Sequence, residues 1–214
     1  MPLIFPSIMC ADPLAIGASL QTLNPYADGY HIDIMDGHFV PNIVGSGALI
    51  SAIAHATVHP LWIHYMTQEP LVWLTRFPLP KASIVSFHIE IASPIEPIVT
   101  HLKDHGAQVS IAISPGTAVD RLFPFLSTID EVLVMGVNPG HSGQHFVSSV
   151  IDTIIMLKNL QMMHGYTFRL SMDGGIGPHN IDLLAQLGIS HFVVGSALFN
   201  SSCPADTLRT LKKK

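Results

Sequence analysis

The sequence is short of charge. Only 12% of its 214 residues are Asp, Glu, Lys or Arg, against 48% hydrophobic ones. A chain that apolar can bury enough surface to offset the entropy of folding, so disorder is excluded. Basic residues are scarcer still, with 10 Lys and Arg against 15 Asp and Glu. They form no stripe, which argues against a nucleic-acid partner. The one basic run, Lys212-Lys213-Lys214, reads as a solvated helix end complementing the helix dipole. Two cysteines, Cys10 and Cys203, are too few for a disulfide framework. Clean hydrophobic runs are missing too, despite a mean hydropathy of +0.42. The charge-free stretch from Gly37 to Gln68 is broken by His38, Pro41, Asn42, Ser46, His55, His59 and Pro60. It never reaches the roughly 18 apolar residues of a membrane span. The opening MPLIFPSIMC lacks the basic start and cleavage site of a signal peptide. These features predict a cytoplasmic chain in one domain over residues 1–214, with no membrane partner. So few charges on the outer helix faces also predict a homo-oligomer.

What the sequence does have is a recurring short apolar run. Residues 3–10, 30–35, 61–66, 83–89, 108–113, 131–137, 168–172 and 191–195 are rich in Ile, Val and Phe and bounded by Gly, Pro or Asp. That is the pattern of strands buried on both faces, as in a parallel sheet. Helical patterns lie between them, over 14–23, 48–56, 71–77, 95–105, 146–164, 180–187 and 204–211. Asp12-Pro13 and Ser93-Pro94 look like helix caps followed by proline, and Gly106, Gly165 and Gly188 like helix stops. Eight strand-then-helix units predict an α/β fold of the (β/α)8 TIM-barrel class, ahead of an open doubly wound sheet. In a barrel the chemistry belongs at the C-terminal ends of the strands.

Polar residues inside these strands are the informative ones. His31 and Asp33 are two apart in strand two, so they share a face, and Met35 continues it. Strand one carries Ser7, strand three ends with His64 and Met66, strand four with His88 and Glu90, and strand seven with Asp173. A buried carboxylate is costly unless it is paired or metal-bound, and there is little Lys or Arg to pair with. His31, Asp33, His64 and Asp173 together make a divalent-cation site of imidazole and oxygen ligands. Zinc is the first choice, and Fe(II), Mn and Co also suit that donor set. Of the other histidines, His55, His59, His101, His105, His164, His179 and His191 are expected on helices or turns, facing solvent. His38 lies in the loop after strand two. Cys10 is expected to be a small buried hydrophobe at the end of strand one.

Three glycine-rich turns follow the last strands: Asn138 to Gln144 with Gly140 and Gly143, Asp173 to Pro178 with Gly174 and Gly175, and Gly195-Ser196-Ala197. Glycine lets backbone N–H groups approach an anion, so these turns predict a phosphate cradle without Lys or Arg.

The chain resembles the ribulose-phosphate 3-epimerase family over nearly its whole length. The resemblance is carried by residues 6–12 (PSIMCAD), residues 31–42 (HIDIMDGHFVPN), His64-Tyr65-Met66, Val137-Asn138-Pro139-Gly140, Asp173-Gly174-Gly175 and Val194-Gly195-Ser196-Ala197. It implies a barrel of the ribulose-phosphate-binding type that inverts C3 of a ketose phosphate. It implies metal ligands at His31, Asp33, His64 and Asp173, and acid/base carboxylates at Asp33 and Asp173. Substrate contacts are implied at Ser7, His64, Gly140, His141, Ser142, Gly143, Gly174, Gly175, Gly195 and Ser196. Met35, Met66 and Met135 match methionines that line the family's site. The chain departs from the family in His141-Ser142, where Phe-Gly is usual, in Tyr65, and in Gly136, where Thr or Ser is common. Met9-Cys10 is similar to the related allulose-6-phosphate 3-epimerases, so a hexulose phosphate is the alternative substrate. Two other readings are a decarboxylase or aldolase on the same scaffold and a catalytically silent metal-binding barrel. The first lacks the strand-end Lys that such reactions tend to need.

Overall fold

Strands with apolar residues on both faces are stable only when both faces are covered, and the apolar runs become such strands. The computed structural model describes residues 2–213. Eight strands follow in chain order: β1 Leu3–Pro6, β2 Tyr30–Asp36, β3 Leu61–Met66, β4 Ile84–His88, β5 Gln108–Ile113, β6 Glu131–Met135, β7 Arg169–Asp173 and β8 His191–Val194. They are hydrogen-bonded in the order β1-β8-β7-β6-β5-β4-β3-β2, and every neighbouring pair is parallel. A parallel bridge between Ser7 and His31 joins the two ends of that row and closes a (β/α)8 barrel. Ile43–Val44 adds a two-residue antiparallel ribbon to the end of β2.

The helices α1 Ile16–Leu23, α2 Gly47–Ala56, α3 Pro70–Leu74, α4 Ile95–Asp104, α5 Val150–His164, α6 Ile181–Gln186, α7 Ser196–Phe199 and α8 Pro204–Lys212 alternate with the strands. Period-two alternation sends Ile32, Ile34, Ile63, Tyr65, Val85, Phe87, Val132, Val134, Phe192 and Val194 outward into one core with the helices. The same alternation sends Phe5, Trp62, Ile84, Ala112, Leu133, Met135 and Val193 inward, where they form a second cluster inside the barrel. Strand register then stacks the inward residues in layers. Asp33 pairs with His64, Met35 with Met66, and Met135 with Asp173. The floor of the barrel is polar but closed: the buried Glu131 carboxylate accepts from Arg169 Nε at 3.2 Å and lies 2.8 Å from His191 Nδ1.

Several local expectations change. Strand one stops at Pro6 and Ile8–Cys10 is a 3-10 turn, with the Ser7 N–H still donating to Val194 O. Ser7 therefore sits at the mouth rather than mid-strand, and Cys10 lies in that turn. Asp12 does not cap a helix. Its side chain accepts from Leu14 N in a local turn, and α1 begins only at Ile16. Ser93 donates to Gln68 O instead of capping α4. The helix after β6 starts at Val150, not 146, and the fifth unit has only the 3-10 turn Val119–Leu122. His191 is buried, not solvent-facing, because it opens β8 and meets Glu131. His59 is half-buried and bonded to Asn24 O. Lys212 reaches back to Asp28 at 2.7 Å, so it is not a free solvated end; Lys214 lies outside the described residues. No helix among the described residues is long and apolar enough to cross a membrane.

Trp62 is the largest side chain inside the barrel. It is fully buried, meets Phe5 edge-on at 5.1 Å, and donates from Nε1 to Ser86 Oγ at 2.7 Å. Trp62→Ala removes that packing and strands the Ser86 hydroxyl. We expect a loss of about 3–5 kcal/mol in equilibrium urea unfolding. A loss below about 1 kcal/mol would contradict this account of the inner core.

Candidate active site

Three strands deliver four ligand-type side chains to one point. β2 supplies His31 and Asp33, β3 His64, and β7 Asp173, all pointing inward by alternation. One ligand atom from each lies within 4.8 Å of all the others. His31 Nδ1 is 3.5 Å from Asp33 Oδ2, and its Nε2 is 3.8 Å from Asp173 Oδ2. His64 Nδ1 is 3.7 Å from Asp33 Oδ1 and 3.6 Å from Asp173 Oδ2. The contacts are too long for strong hydrogen bonds. Both ring nitrogens of His31 and Nδ1 of His64 are buried with no hydrogen-bond partner among the described residues. An orphan of that kind costs about 1–3 kcal/mol, so the arrangement makes sense around something that accepts nitrogen lone pairs. Two imidazoles and two carboxylates fit a divalent cation by donor chemistry as well as by spacing.

Burial works against the charge on Asp33, but His31, His64 and the Ser7 hydroxyl outweigh it and hold its carboxyl below the usual range. Ser7 Oγ donates to Asp33 Oδ2 at 3.1 Å. Burial also works against protonation of His31, and here Asp33 and Asp173 prevail and raise its pKa. In both cases the buried carboxylates call for a neighbouring positive charge, which either a proton or a cation supplies.

A small cavity, open to solvent, lies above the cluster. Asp33 and Asp173 lie on its wall with Ser7, Met35, Met66 and Met135, beneath the glycine turns Gly140–Gly143, Gly174-Gly175 and Gly195-Ser196. All the predicted substrate positions thus border one space except His64, which lies beneath it in the cluster with His31. No Lys or Arg lines this cavity. Gly174 and Gly175 have φ of +98° and +69°, conformations that L side chains rarely adopt. Gly136 has a separate reason: a Cβ there would run into the Gly174 carbonyl. The backbone therefore leaves no room for a Thr or Ser side chain at that position. His141 and Ser142 are exposed on the rim. Their loop is held by Gln144, which donates to Asn138 O and His141 O, and by Asn42, which donates to Gly140 O at 2.6 Å.

The wall extends beyond the positions expected as substrate contacts. Met9, Cys10, Asn138 and Gln144 also border the cavity. Burial, only partly offset by the Ser142 hydroxyl, pushes the Cys10 thiol up to about 11, so it is a neutral wall rather than a thiolate ligand. His88 and Glu90, noted at the end of strand four, lie outside the four-residue cluster and do not line the cavity. Burial pushes His88 down to about 4, against the pull of Glu90. Burial opposes the Glu90 charge, but His88, Thr117 and the Ser114 N–H hold its carboxyl at about 2. Asp36 ends β2 and shapes the next loop, accepting the backbone N–H groups of His38, Phe39 and Gln68 at 2.8, 2.9 and 2.9 Å.

A closed parallel barrel with a buried His–Asp cluster under glycine-rich turns defines a barrel enzyme with its chemistry at the C-terminal ends of the strands. Comparison with known proteins makes this specific. The model of the ribulose-phosphate 3 epimerase family matches residues 3–199. The ribulose-phosphate 3-epimerase of Aquifex aeolicus is 34% identical over 213 residues, covering 99% of this chain and 96% of that protein. The ribulose-phosphate 3-epimerase of Bacillus subtilis is 33% identical over 201 residues, covering 93% of each. The chain belongs to the ribulose-phosphate 3-epimerase family, a family of isomerases. A solved structure, KGPDC from Streptococcus mutans, aligns with all of this chain and 96% of its own at TM-score 0.69 and 14% identity. That likeness bears on the fold alone.

Two predictions follow from the site's electrostatics. The purified protein, stripped with chelator, should take up one divalent ion per chain in a calorimetric titration with Zn²⁺ and gain thermal stability as it does. His64→Ala and Asp173→Asn should each weaken that uptake by at least 10-fold, and equal uptake by all three proteins would contradict the cluster as the site. At Asp36, burial opposes the charge but the three N–H donors lower the pKa. The stability this gives is present above the ordinary carboxyl pKa of about 3.9 and is lost as pH falls through the lower, folded value. Urea midpoints of Asp36→Asn should therefore trail the parent most near pH 7, with the gap closing below about pH 4.

Proposed function

We propose that the chain is a metal-dependent ketose-phosphate 3-epimerase, acting as one catalytic domain over residues 1–214. Its substrate pair is D-ribulose 5-phosphate and D-xylulose 5-phosphate. The observation that carries this reading is the placement of two carboxylates, Asp33 and Asp173, at the base of one cavity and on strands three apart round the ring. Inverting a carbon next to a ketone needs a base on one face and an acid on the other, since a single group would tend to restore the original centre. Asp33, held ionised by its neighbours, takes the C3 proton from one side. Asp173 gives a proton to the opposite side, and the roles exchange in the reverse direction.

His31, Asp33, His64 and Asp173 would hold the cation. A divalent ion held there would supply Lewis acidity against the negative charge that develops on the C2 oxygen. Zinc heads the candidates, with Fe(II), Mn and Co behind it. Met35, Met66 and Met135 wall the cavity with groups that exclude water and offer no competing donor. The turns at Gly140–Gly143, Gly174-Gly175 and Gly195-Ser196 present backbone to the phosphate, and His141 and Ser142 border its approach.

The test is incubation with D-ribulose 5-phosphate in D₂O, followed by NMR. We expect D-xylulose 5-phosphate to form with deuterium at C3. Asp33→Asn and Asp173→Asn should each stay folded and lose turnover by at least 10³-fold. Near-normal turnover in either variant would defeat the two-carboxylate scheme. A higher kcat/KM for D-allulose 6-phosphate would move the substrate assignment to the hexulose.

A further inference from the structure

His88 is fully buried at the end of β4 and outside the four-residue cluster. Its Nε2 lies 3.0 Å from Nε2 of His64, with the two ring planes 17° apart. Its Nδ1 lies 3.0 Å from Glu90 Oε2 and 3.3 Å from Ser114 Oγ. The other Glu90 oxygen accepts the Ser114 backbone N–H at 2.8 Å, so the carboxylate is anchored from both sides. The Phe39 ring covers His88 at 4.7 Å.

The proton positions along this row are linked. Two facing ring nitrogens at hydrogen-bond distance can share only one proton. An ionised Glu90 can only accept, so Nδ1 of a neutral His88 carries the proton toward it and Nε2 of His88 is left as an acceptor. Nε2 of His64 must then be the donor. A neutral His64 with its proton on Nε2 has its lone pair on Nδ1, the atom that faces Asp33 and Asp173 without a hydrogen-bond partner. Without the row, His64 is free to place its proton on Nδ1, where it would satisfy the carboxylates and block a cation.

We propose that Glu90 and His88 are positioning residues that hold His64 in the one tautomer able to ligate a cation through Nδ1. This rests on the reading of the cluster as a cation site. A hydrogen-bonded second partner on a ligating imidazole fixes its orientation and raises its basicity, and losing such a partner typically weakens metal binding 10- to 100-fold. Among the described residues neither His88 nor Glu90 is hydrogen-bonded to the cluster's carboxylates or lines the cavity, so their direct contact with the cluster is the one to His64.

The test uses Co²⁺ as the probe, because its visible spectrum reports the ligand set. Affinity is measured by competition with a chromogenic chelator on the full chain. His88→Leu, which offers no acceptor, should bind Co²⁺ about 10- to 100-fold more weakly than the parent. His88→Gln, whose amide can accept from His64 and donate to Glu90, should recover most of that affinity. Glu90→Ala should fall between them. Long-range ¹H–¹⁵N spectra of the metal-free protein should show His64 protonated on Nε2 in the parent and as a tautomer mixture in His88→Leu. A folded His88→Leu with parental affinity and an unchanged His64 tautomer would overturn the proposal. If His88→Leu does not fold, Glu90→Ala with unchanged affinity and tautomer overturns it. A parent protein that binds no Co²⁺ at all would instead refute the cation site itself.

Discussion

A charge placed inside an apolar cylinder must be matched where it sits. In this barrel that requirement governs everything near the mouth. Asp33 is buried inside the barrel, and His31, His64 and Ser7 beside it oppose the cost of burying its charge. Yet the contacts among the four cluster residues are 3.5 to 3.8 Å, and three of the ring nitrogens are orphaned. The protein brings matching charges together without letting them collapse onto each other. That residual mismatch is what leaves room for a cation to complete the balance.

The two ends of the barrel solve the same problem differently. At the floor, Glu131 Oε2 meets His191 at 2.8 Å and Arg169 at 3.2 Å, while its other oxygen is buried with no hydrogen-bond partner among the described residues. Trp62 and Phe5 pack edge-on within the barrel above it. At the mouth the same inward-facing period ends in loops rather than in a packed layer. Alternation puts polar side chains inward at both ends, and at the C-terminal ends the connecting turns border a cavity.

The rim couples distant parts of the chain. Asn42, in the loop after β2, donates to Gly140 in the loop after β6, and Asp36 gathers backbone donors from its own loop and from Gln68 after β3. Phe39 from that first loop lies over His88. The segment carrying the most specific part of the sequence signature, residues 31–42, thus supplies two side chains of the His–Asp cluster and also organises the rim loops. Its length reflects two duties, holding the base of the site and fastening its roof.

The sequence by itself determined the strands, the barrel class and the four side chains that converge. Those follow from local regularities: doubly buried runs, period-two faces, and carboxylates with no basic partners nearby in the chain. Even the glycine turns were legible, because a backbone that must adopt positive φ has few residue choices. The tertiary structure decided what no local pattern contains. His191 is buried because ring closure brings β8 to Glu131, and Ser7 reaches Asp33 because β1 ends early and bridges to β2. His88 stands behind His64 because β3 and β4 are neighbours in register, with His64 aligned to Ser86. In each case the decisive partner sits on another strand, 24 to 60 residues away along the chain. A hydrogen bond depends on where two atoms meet in space, and only the closed ring sets that.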